Sequence, residues 1–301
     1  MIKKIASFLR TIILSFSYYF GVVGIIITNI NSISKRLNLS QALHQAIFLR
    51  KKYAYFSGNY KSWDESLANI KEGYQSKKLY NKVYKASLAV KHGKAIYERD
   101  GFCFNEEKFR WPVITFILHA EKQSNTDSFE ILDFGGSLGS FYNQHIKFLS
   151  QIDNLTWNII EQDQFVKKGK EEFENTTLKF HKSIADFKKD NNPNLVLLSS
   201  VIQYIEKPFE ILKDLIQISP EFIIIDRTPF TKKNYDCVMH QNLPKHVGGQ
   251  IYPAWFFSEK NFLHFFNESN YYEYSRFECD EDYGIGTFKG IVFRLKGNVE
   301  E

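Results

Sequence analysis

The sequence predicts an α/β fold in which a doubly wound, mostly parallel sheet follows an N-terminal helical region. Two observations support this prediction. After residue 128, short apolar runs alternate with amphipathic stretches long enough for helices, and a glycine-rich turn follows the first of those runs. Parallel strands buried under crossover helices produce such a pattern, because helices cover both faces of the sheet.

Five apolar runs predict the strands of this sheet. They are FEILDF (129–134), WNIIE (157–161), LKFHKSI (178–184), LVLLS (195–199) and FIIID (222–226). Two later runs, at 271–278 and 290–297, flank a turn that contains Gly and Asp, which favours a closing hairpin. We therefore expect a Rossmann-like domain at residues 126–298.

Residues 53–125 are predicted to be helical. Ser62 and Glu65 have the spacing of a capping box, in which side chains satisfy the free N–H groups at a helix start. Trp111-Pro112 precedes an apolar run, as expected for a helix with a proline in its first turn. The polar stretch 124–128 marks the predicted boundary with the sheet domain.

The first 52 residues form a basic and apolar segment of different character. They contain eight Lys or Arg and no Asp or Glu, which leaves 31 basic and 34 acidic residues in the remainder. Because a nucleic-acid groove needs clustered cations, we do not expect nucleic acid as a partner of the main domain.

Residues 11–30 are uncharged and mainly apolar over about the length that a helix needs to cross a bilayer. Basic residues flank them on both sides, so we expect this segment to associate with a membrane. A helix packed on the protein itself is the alternative. The main domain is expected in the cytoplasm, either free or at the inner membrane.

The three cysteines do not suggest a disulfide framework or a metal site. Cys103, Cys237 and Cys279 are far apart and odd in number, and no Cys/His pair has the spacing of zinc ligands. We therefore predict no metal and a reducing compartment.

The residues that favour a bound ligand follow the first predicted strand. Asp133 ends this strand, and the turn Gly135-Gly136-Ser137-Leu138-Gly139 comes next. Glycines allow the backbone to approach a ligand closely, and the following helix presents its first N–H groups to the same space. Glu161 ends the next run, 22 residues after Gly139, where an acid can hydrogen-bond a ribose. Turn and acid together favour a nucleoside-containing ligand over a turn without a ligand.

The turn lacks the GxGxxG spacing of a dinucleotide site, which disfavours a nicotinamide-dependent oxidoreductase. The run D-F-G-G-S-L-G is closer to the D-x-G-x-G-x-G pattern, with Ser137 at the middle glycine. With IIEQDQFVKKGKEEF, LVLLSSVIQYIEKP, IIIDRTPF and YPAWFFSEKNF, it resembles class I S-adenosylmethionine-dependent methyltransferases associated with bacterial surface-polysaccharide gene clusters. The resemblance covers approximately residues 56–296.

This resemblance implies a class I methyltransferase type of sheet, S-adenosylmethionine as the cofactor, and a sugar or lipid-linked glycan as the acceptor. It implies that the glycine turn lines the methionine part of the cofactor, Glu161 holds the ribose, and the stretch around Ser183 lies beside the adenine. The expected cofactor-binding residues are Asp133, Gly135, Gly136, Ser137, Gly139, Glu161, Ser183, Ser199, Ser200 and Tyr204.

A hydroxyl acceptor would benefit from a general base. Asp226 ends the fifth run, and His240 and His246 lie in the stretch 227–254, which we predict to be a long irregular loop because it holds three prolines and two glycines. A packing role is the alternative for each histidine. Since Ser137 replaces a glycine, a non-catalytic module that binds the cofactor or positions partners at a membrane is the alternative function.

Overall fold

The structure is a computed structural model that describes residues 54–68, 70, 77–124, 126–244, 249–281 and 286–297. The predicted membrane segment 11–30 and the candidate base His246 lie outside the described residues. Within the described ranges, no helix is both long enough and apolar enough to cross a membrane. Membrane association through residues 11–30 therefore stays a prediction.

The described elements alternate between strands and helices along most of the chain. The strands are β1 Tyr55–Tyr60, β2 Tyr97–Arg99, β3 Phe102–Phe104, β4 Phe129–Phe134, β5 Leu155–Ile160, β6 Leu178–His181, β7 Leu195–Ser199, β8 Phe222–Thr231, β9 Cys237–Asn242, β10 Ile251–Ser258, β11 Tyr271–Glu278 and β12 Thr287–Leu295. The α-helices are α1 Trp63–Leu67, α2 Lys77–Lys91, α3 Trp111–Gln123, α4 Ser140–Leu149, α5 Asp163–Lys168, α6 Ile184–Phe187, α7 Pro208–Ile216 and α8 Glu259–Glu268.

By its contacts the chain divides into two compact units, each made of several segments. The first unit comprises the described parts of Met1–Tyr74, Pro229–Phe262 and Cys279–Phe288. The second comprises those of Gln75–Thr228, Leu263–Glu278 and Lys289–Glu301. These units differ from the contiguous division at 53–125 and 126–298 that the composition suggested.

The second unit contains the predicted parallel sheet. Its strand order is β6-β5-β4-β7-β8, and each neighbouring pair within this set is parallel. The chain runs outward from β4 to β6 in one direction and from β7 to β8 in the other, which is the order of a doubly wound fold. β12 continues the sheet beside β8, and β11 pairs antiparallel with β12. The predicted Rossmann-like fold and the closing hairpin are confirmed.

Apolar side chains of these strands form the core of the second unit. Ile131, Trp157 and Leu197, on three adjacent strands, are fully buried, and Ile117 of α3 packs in the same cluster. Each side chain of this size contributes about 1.5–3 kcal/mol when it is removed from water. The sheet is therefore a rigid support for the residues that follow its strands.

The region 53–125 is only partly helical, so its prediction was incomplete. Its described residues include β1 and the antiparallel pair β2 and β3 as well as helices. Strands of three residues are too short to show a readable period. The local signals hold: Ser62 Oγ accepts from the Glu65 N–H at 3.1 Å, and α3 has Pro112 in its first turn.

The prediction of an irregular loop at 227–254 was wrong. In the first unit, β9 pairs antiparallel with both β1 and β10, and the end of β8 pairs with β10. Pro253 of β10 lies opposite His240 of β9, whereas the pairing of β10 with β8 involves Phe257 and Ser258. A strand that is paired on one side can accommodate proline, which has no N–H to donate.

Candidate functional site

The glycine turn lies at the point where the sheet changes direction. β4 pairs with β5 on one side and with β7 on the other, so a crevice opens beyond its carboxyl end. Gly135 leaves the strand with φ 77° and donates its N–H to the Ile160 carbonyl at 2.9 Å. Gly139, with φ 87°, is the N-cap of α4, and no side chain caps that helix. The helix start is thus turned into the crevice with backbone N–H groups as its available donors.

Gly136 is required by a close approach to Asp133. A Cβ atom on Gly136 would lie 2.5 Å from the Asp133 Oδ2 atom. The Asp133 side chain is buried and accepts a hydrogen bond from Trp157 Nε1 at 3.1 Å. The contact between Asp133 and Gly136 therefore stabilises the turn. It does not place Asp133 at the ligand.

Glu161 is joined to the glycine turn by a hydrogen bond. The strand register pairs Phe134 with Ile160, so Gly135 and Glu161 leave β4 and β5 side by side. The Glu161 carboxyl accepts from the Gln162 N–H at 2.7 Å and from the Ser137 N–H. A carboxylate has about four acceptor positions, so two backbone N–H groups leave capacity for a diol.

Three residues other than glycine adopt a left-handed backbone at or beside the carboxyl ends of β4 and β7. They are Ser137 (φ 57°), Ser200 (φ 56°) and Arg227 (φ 53°). Ser137 and Ser200 follow β4 and β7, and Arg227 lies within β8, directly after Asp226. Such conformations cost about 1–3 kcal/mol each and concentrate at functional sites. Ser137, which replaces the expected middle glycine, therefore keeps a conformation typical of glycine.

Asp226 is fully buried and has identified partners on both oxygens. Arg110 Nη2 donates to Oδ1 at 2.5 Å, and Ser199 Oγ donates to Oδ2 at 2.7 Å. Ser199 lies opposite Asp226 in the β7–β8 register. The backbone is held as well, because the Ser200 N–H donates to the Asp226 carbonyl at 2.8 Å. Both the side chain and the backbone of Asp226 are therefore held in place by neighbouring residues.

His145 fixes the position of Arg110. Its Nε2 atom accepts from the Arg110 N–H at 3.0 Å, and its Nδ1 atom lies 2.7 Å from the Phe141 carbonyl. Burial lowers the pKa of His145 to about 4, so the ring stays neutral and can accept at Nε2. The segment before α3 is thereby anchored to α4.

Sequence reasoning missed Glu98 and Arg99, which end β2. Glu98 is buried, accepts from Ser140 Oγ at the start of α4, and accepts from the Gly101 N–H at 3.2 Å. Arg110, which pairs with Asp226, was missed too. All three precede the parallel sheet in the chain, so only the tertiary fold brings them to the edge where the predicted residues lie.

The remaining predicted residues differ in how they relate to the glycine turn. Ser183 is exposed and caps α6, since its Oγ accepts from the Asp186 N–H at 3.0 Å. Tyr204 is half-buried in a 3₁₀ turn, Ile202–Tyr204, that follows β7. His240 belongs to the first unit, where Nε2 lies 2.6 Å from the Ser66 carbonyl and Nδ1 lies 3.3 Å from Tyr60 Oη. The proposed roles of these residues stay predictions.

Three buried carboxyls make the stability of the second unit depend on pH. Burial raises the pKa of Glu98, Asp133 and Glu161 to about 7 in each case. These pKa values lie above those of the same carboxyls in the unfolded chain, about 4. The contribution of the three carboxyls to the free energy of unfolding is therefore complete below pH 4 and is lost as the pH rises through 7. We expect the thermal midpoint to fall between pH 5 and pH 8, as measured by a dye-based melting assay.

Two substitutions distinguish the titration of the buried carboxyls from a change in the net charge of the protein. Glu161→Gln should flatten the pH dependence, whereas Glu210→Gln, an exposed residue paired with Lys207, should keep the wild-type slope. Equal slopes in the wild type and in Glu161→Gln would contradict the assignment.

Comparison with solved structures finds similar chains among methyltransferases. The 1,6-didemethyltoxoflavin-N1-methyltransferase of Burkholderia thailandensis, with bound 1,6-didemethyltoxoflavin and S-adenosylhomocysteine, shares 11% identity at a TM-score of 0.43, over 76% of this chain and 94% of that chain. A S-adenosylmethionine-dependent methyltransferase of Methanosarcina mazei shares 11% at 0.44, over 63% and 99%. Magnesium protoporphyrin IX methyltransferase of Synechocystis PCC 6803, with bound S-adenosylmethionine, shares 9% at 0.43, over 75% and 100%.

No protein-family model matches the sequence, and no curated protein matches it significantly. Identities near 10% and TM-scores below 0.5 are too low to transfer a substrate or a residue's role. The geometry of the described residues must therefore carry the functional assignment.

Proposed function

We propose that the chain is an S-adenosylmethionine-dependent methyltransferase whose acceptor is a sugar or a lipid-linked glycan. The observation that carries this proposal is the position of Glu161 at the end of β5, hydrogen-bonded to the Ser137 N–H of the glycine turn. A carboxylate in this place accepts from a ribose diol, while the turn leaves room for a chain attached to the ribose. The turn has no cationic side chain, as suits a cofactor without phosphate.

The residues around the turn fit this cofactor. Glu161 would hold the ribose hydroxyls, and Gly135 and Gly139 would let the backbone approach the methionine part. When bound, the cofactor supplies a methyl group on a sulfonium, which is already a good leaving group. The protein's main task is then to hold the acceptor oxygen in line with that methyl group.

We assign the acceptor side to the end of β7 and the part of β8 that lies beside it. Ser199 and Asp226 lie there side by side and are hydrogen-bonded to each other. Asp226 is our candidate for the group that takes the proton from an acceptor hydroxyl. The glycan nature of the acceptor rests on the family resemblance of the sequence.

Glu161→Gln tests the cofactor assignment. A glutamine has nearly the same size but replaces one acceptor oxygen by an NH₂ donor, so it can accept fewer hydrogen bonds from the ribose hydroxyls. We therefore expect the affinity for S-adenosylhomocysteine to fall at least tenfold, or about 1.4 kcal/mol. In the wild type, the affinity should also rise between pH 6 and pH 8, because the pKa of Glu161 is about 7 and the charged form accepts the diol. Isothermal titration calorimetry measures both effects.

Glu130→Gln is the matched control, because Glu130 is a half-buried acid at the other end of the same sheet that accepts from Asn158 Nδ2 at 2.8 Å. It should bind like the wild type. A folded wild-type protein that binds neither S-adenosylmethionine nor S-adenosylhomocysteine would refute the proposal. Binding without transfer of a labelled methyl group to any component of a cell extract would favour the non-catalytic module.

A further inference from the structure

Arg99 is a positively charged side chain that is largely shielded from water. It ends β2, its side chain is mostly removed from water, and burial is the main cause that lowers its pKa. Within the described part of the chain, no carboxylate lies within ion-pair distance of its guanidinium, and its aromatic neighbour is Tyr97, whose ring centre is 5.9 Å away. Charge in such surroundings costs free energy unless a counter-ion is present.

Two more guanidinium groups act on Arg99. The positive charges of Arg227 and Arg110 both lower its pKa further. Arg110 is fixed by its ion pair with Asp226, and Arg227 is the next residue in the chain. Contacts of neighbouring residues place the three arginines at the carboxyl edge of the sheet: Glu98, next to Arg99, is hydrogen-bonded to Ser140 at the start of α4, and Arg110 pairs with Asp226, next to Arg227. Mutual repulsion of this kind is relieved when an anion binds between the groups.

Two acids near Arg99, Asp226 and Glu98, are hydrogen-bonded to other groups. Asp226 accepts from Arg110 and Ser199. Glu98 is bonded to Ser140 and to the Gly101 N–H, and burial raises its pKa to about 7, so it carries only part of a charge at neutral pH. Neither acid pairs with Arg99. The charge of the adjacent Asp100 raises the pKa of Arg99, but its carboxylate is not within ion-pair distance of the guanidinium, so an external anion can bind closer to Arg99 than any described acid does.

We propose that Arg99, Arg110 and Arg227 form a subsite for an anionic group, a phosphate or a carboxylate, on the acceptor. This inference rests on the proposed function, because it assigns the subsite to the acceptor. Guanidinium groups suit this role, since they present several N–H donors in a plane that matches the oxygens of such anions.

The position of Arg227 favours the acceptor over the cofactor. Glu161 follows β5, whereas Arg227 lies on β8, three strands away in the order β5-β4-β7-β8. Neighbouring strands are about 4.8 Å apart, so these two positions are separated by roughly 14 Å along the sheet edge. With the ribose at Glu161, the cofactor extends over β4, and the arginines border the side from which an acceptor would enter.

Thermal melting of the full-length protein with inorganic phosphate tests the proposal, with chloride used to keep the ionic strength constant. Phosphate should raise the melting temperature of the wild type in a saturable way. Arg99→Gln should abolish this response and, without phosphate, should melt at a higher temperature than the wild type, since it removes an uncompensated cation. Arg99→Lys should retain part of the response. Arg276→Gln, an exposed arginine paired with Glu273, is the matched control and should respond like the wild type.

The outcomes distinguish the subsite from the cofactor site. An unchanged phosphate response in both Arg99→Gln and Arg227→Gln would overturn the proposal. A tenfold loss of S-adenosylhomocysteine affinity in Arg99→Gln, together with competition between phosphate and S-adenosylhomocysteine, would also overturn it, because the arginines would then hold the cofactor's own carboxylate. A phosphate response that needs Arg99, in a protein that binds no S-adenosylhomocysteine, would support the anion subsite and refute the proposed function.

Discussion

Replacing Gly135 with alanine is expected to lower the free energy of unfolding by about 2–5 kcal/mol and to abolish binding of S-adenosylhomocysteine. Two penalties add up at this position. The left-handed backbone, φ 77°, costs an alanine about 1–2 kcal/mol. The new Cβ atom would also lie 2.4 Å from Val201 Cγ2, and overpacking of this kind costs about 1–3 kcal/mol. Relaxation would move the turn away from the Gly135–Ile160 hydrogen bond and from the cofactor. Urea denaturation and calorimetry measure the two effects.

Two control variants separate the penalties. Gly93 also has a positive φ, 68°, but a Cβ atom there would meet nothing within 4 Å, so Gly93→Ala should show the backbone penalty alone. Val201→Ala in the Gly135→Ala background should relieve the clash and leave the backbone penalty. If Gly135→Ala and Gly93→Ala cost the same, and cofactor binding survives in both, the turn does not have the tight packing that the structure describes.

The sheet was predictable because its strands are buried on both faces. Such strands are continuous apolar runs, and the runs at 129–134 and 195–199 coincide with β4 and β7 to the residue. The ends of β6 and β8 were less accurate. β6 ends at His181 because Ser183 begins a helix, and β8 continues beyond Asp226 to Thr231 because its last residues pair with β10. The composition of the runs themselves indicates neither the helix start at Ser183 nor the pairing of β8 with β10.

The candidate site was predictable only where its residues follow strands. Asp133, Glu161 and Asp226 could be placed from the sequence, because the carboxyl ends of parallel strands share one edge. Glu98, Arg99 and Arg110 reach that edge from segments before the sheet, through contacts such as the one between Glu98 and Ser140. No spacing in the sequence encodes a contact of this kind.

His240 shows how composition can mislead. Prolines and glycines on both sides of it suggested a loop that could offer a free imidazole. The structure places His240 in β9 in register with Pro253, with its ring 4.5 Å from the Tyr60 ring. Both ring nitrogens of His240 have partners within its own unit, the Ser66 carbonyl and Tyr60 Oη. Asp226 has contacts to other residues of the proposed site, Arg110 and Ser199, and the roles of His240 and His246 as bases stay predictions.

The ion pair between Arg110 and Asp226 is expected to show the second large effect. The two side chains are 9% and 0% exposed, and their atoms are 2.5 Å apart. Arg110→Ala should lower the free energy of unfolding by about 3–5 kcal/mol, because Asp226 would keep a buried charge without its partner. Asp226→Ala should cost a similar amount, since Arg110 would then lose its ion pair while it stays close to the charge of Arg99. Urea denaturation of the two variants measures these costs.

The double variant Arg110→Ala/Asp226→Ala decides whether the pair acts as a unit. Its cost should be smaller than the sum of the single costs by about 0.5–3 kcal/mol, because no charge is left buried alone. The exposed pair Lys189–Asp186, whose atoms are 3.2 Å apart, should show a coupling of only about 0.2–1 kcal/mol. Additive costs at Arg110 and Asp226 would mean that water or another group compensates each charge. Strong coupling would mean that the two side chains stabilise the fold as a pair, so a variant of either one would also disturb the position of the other.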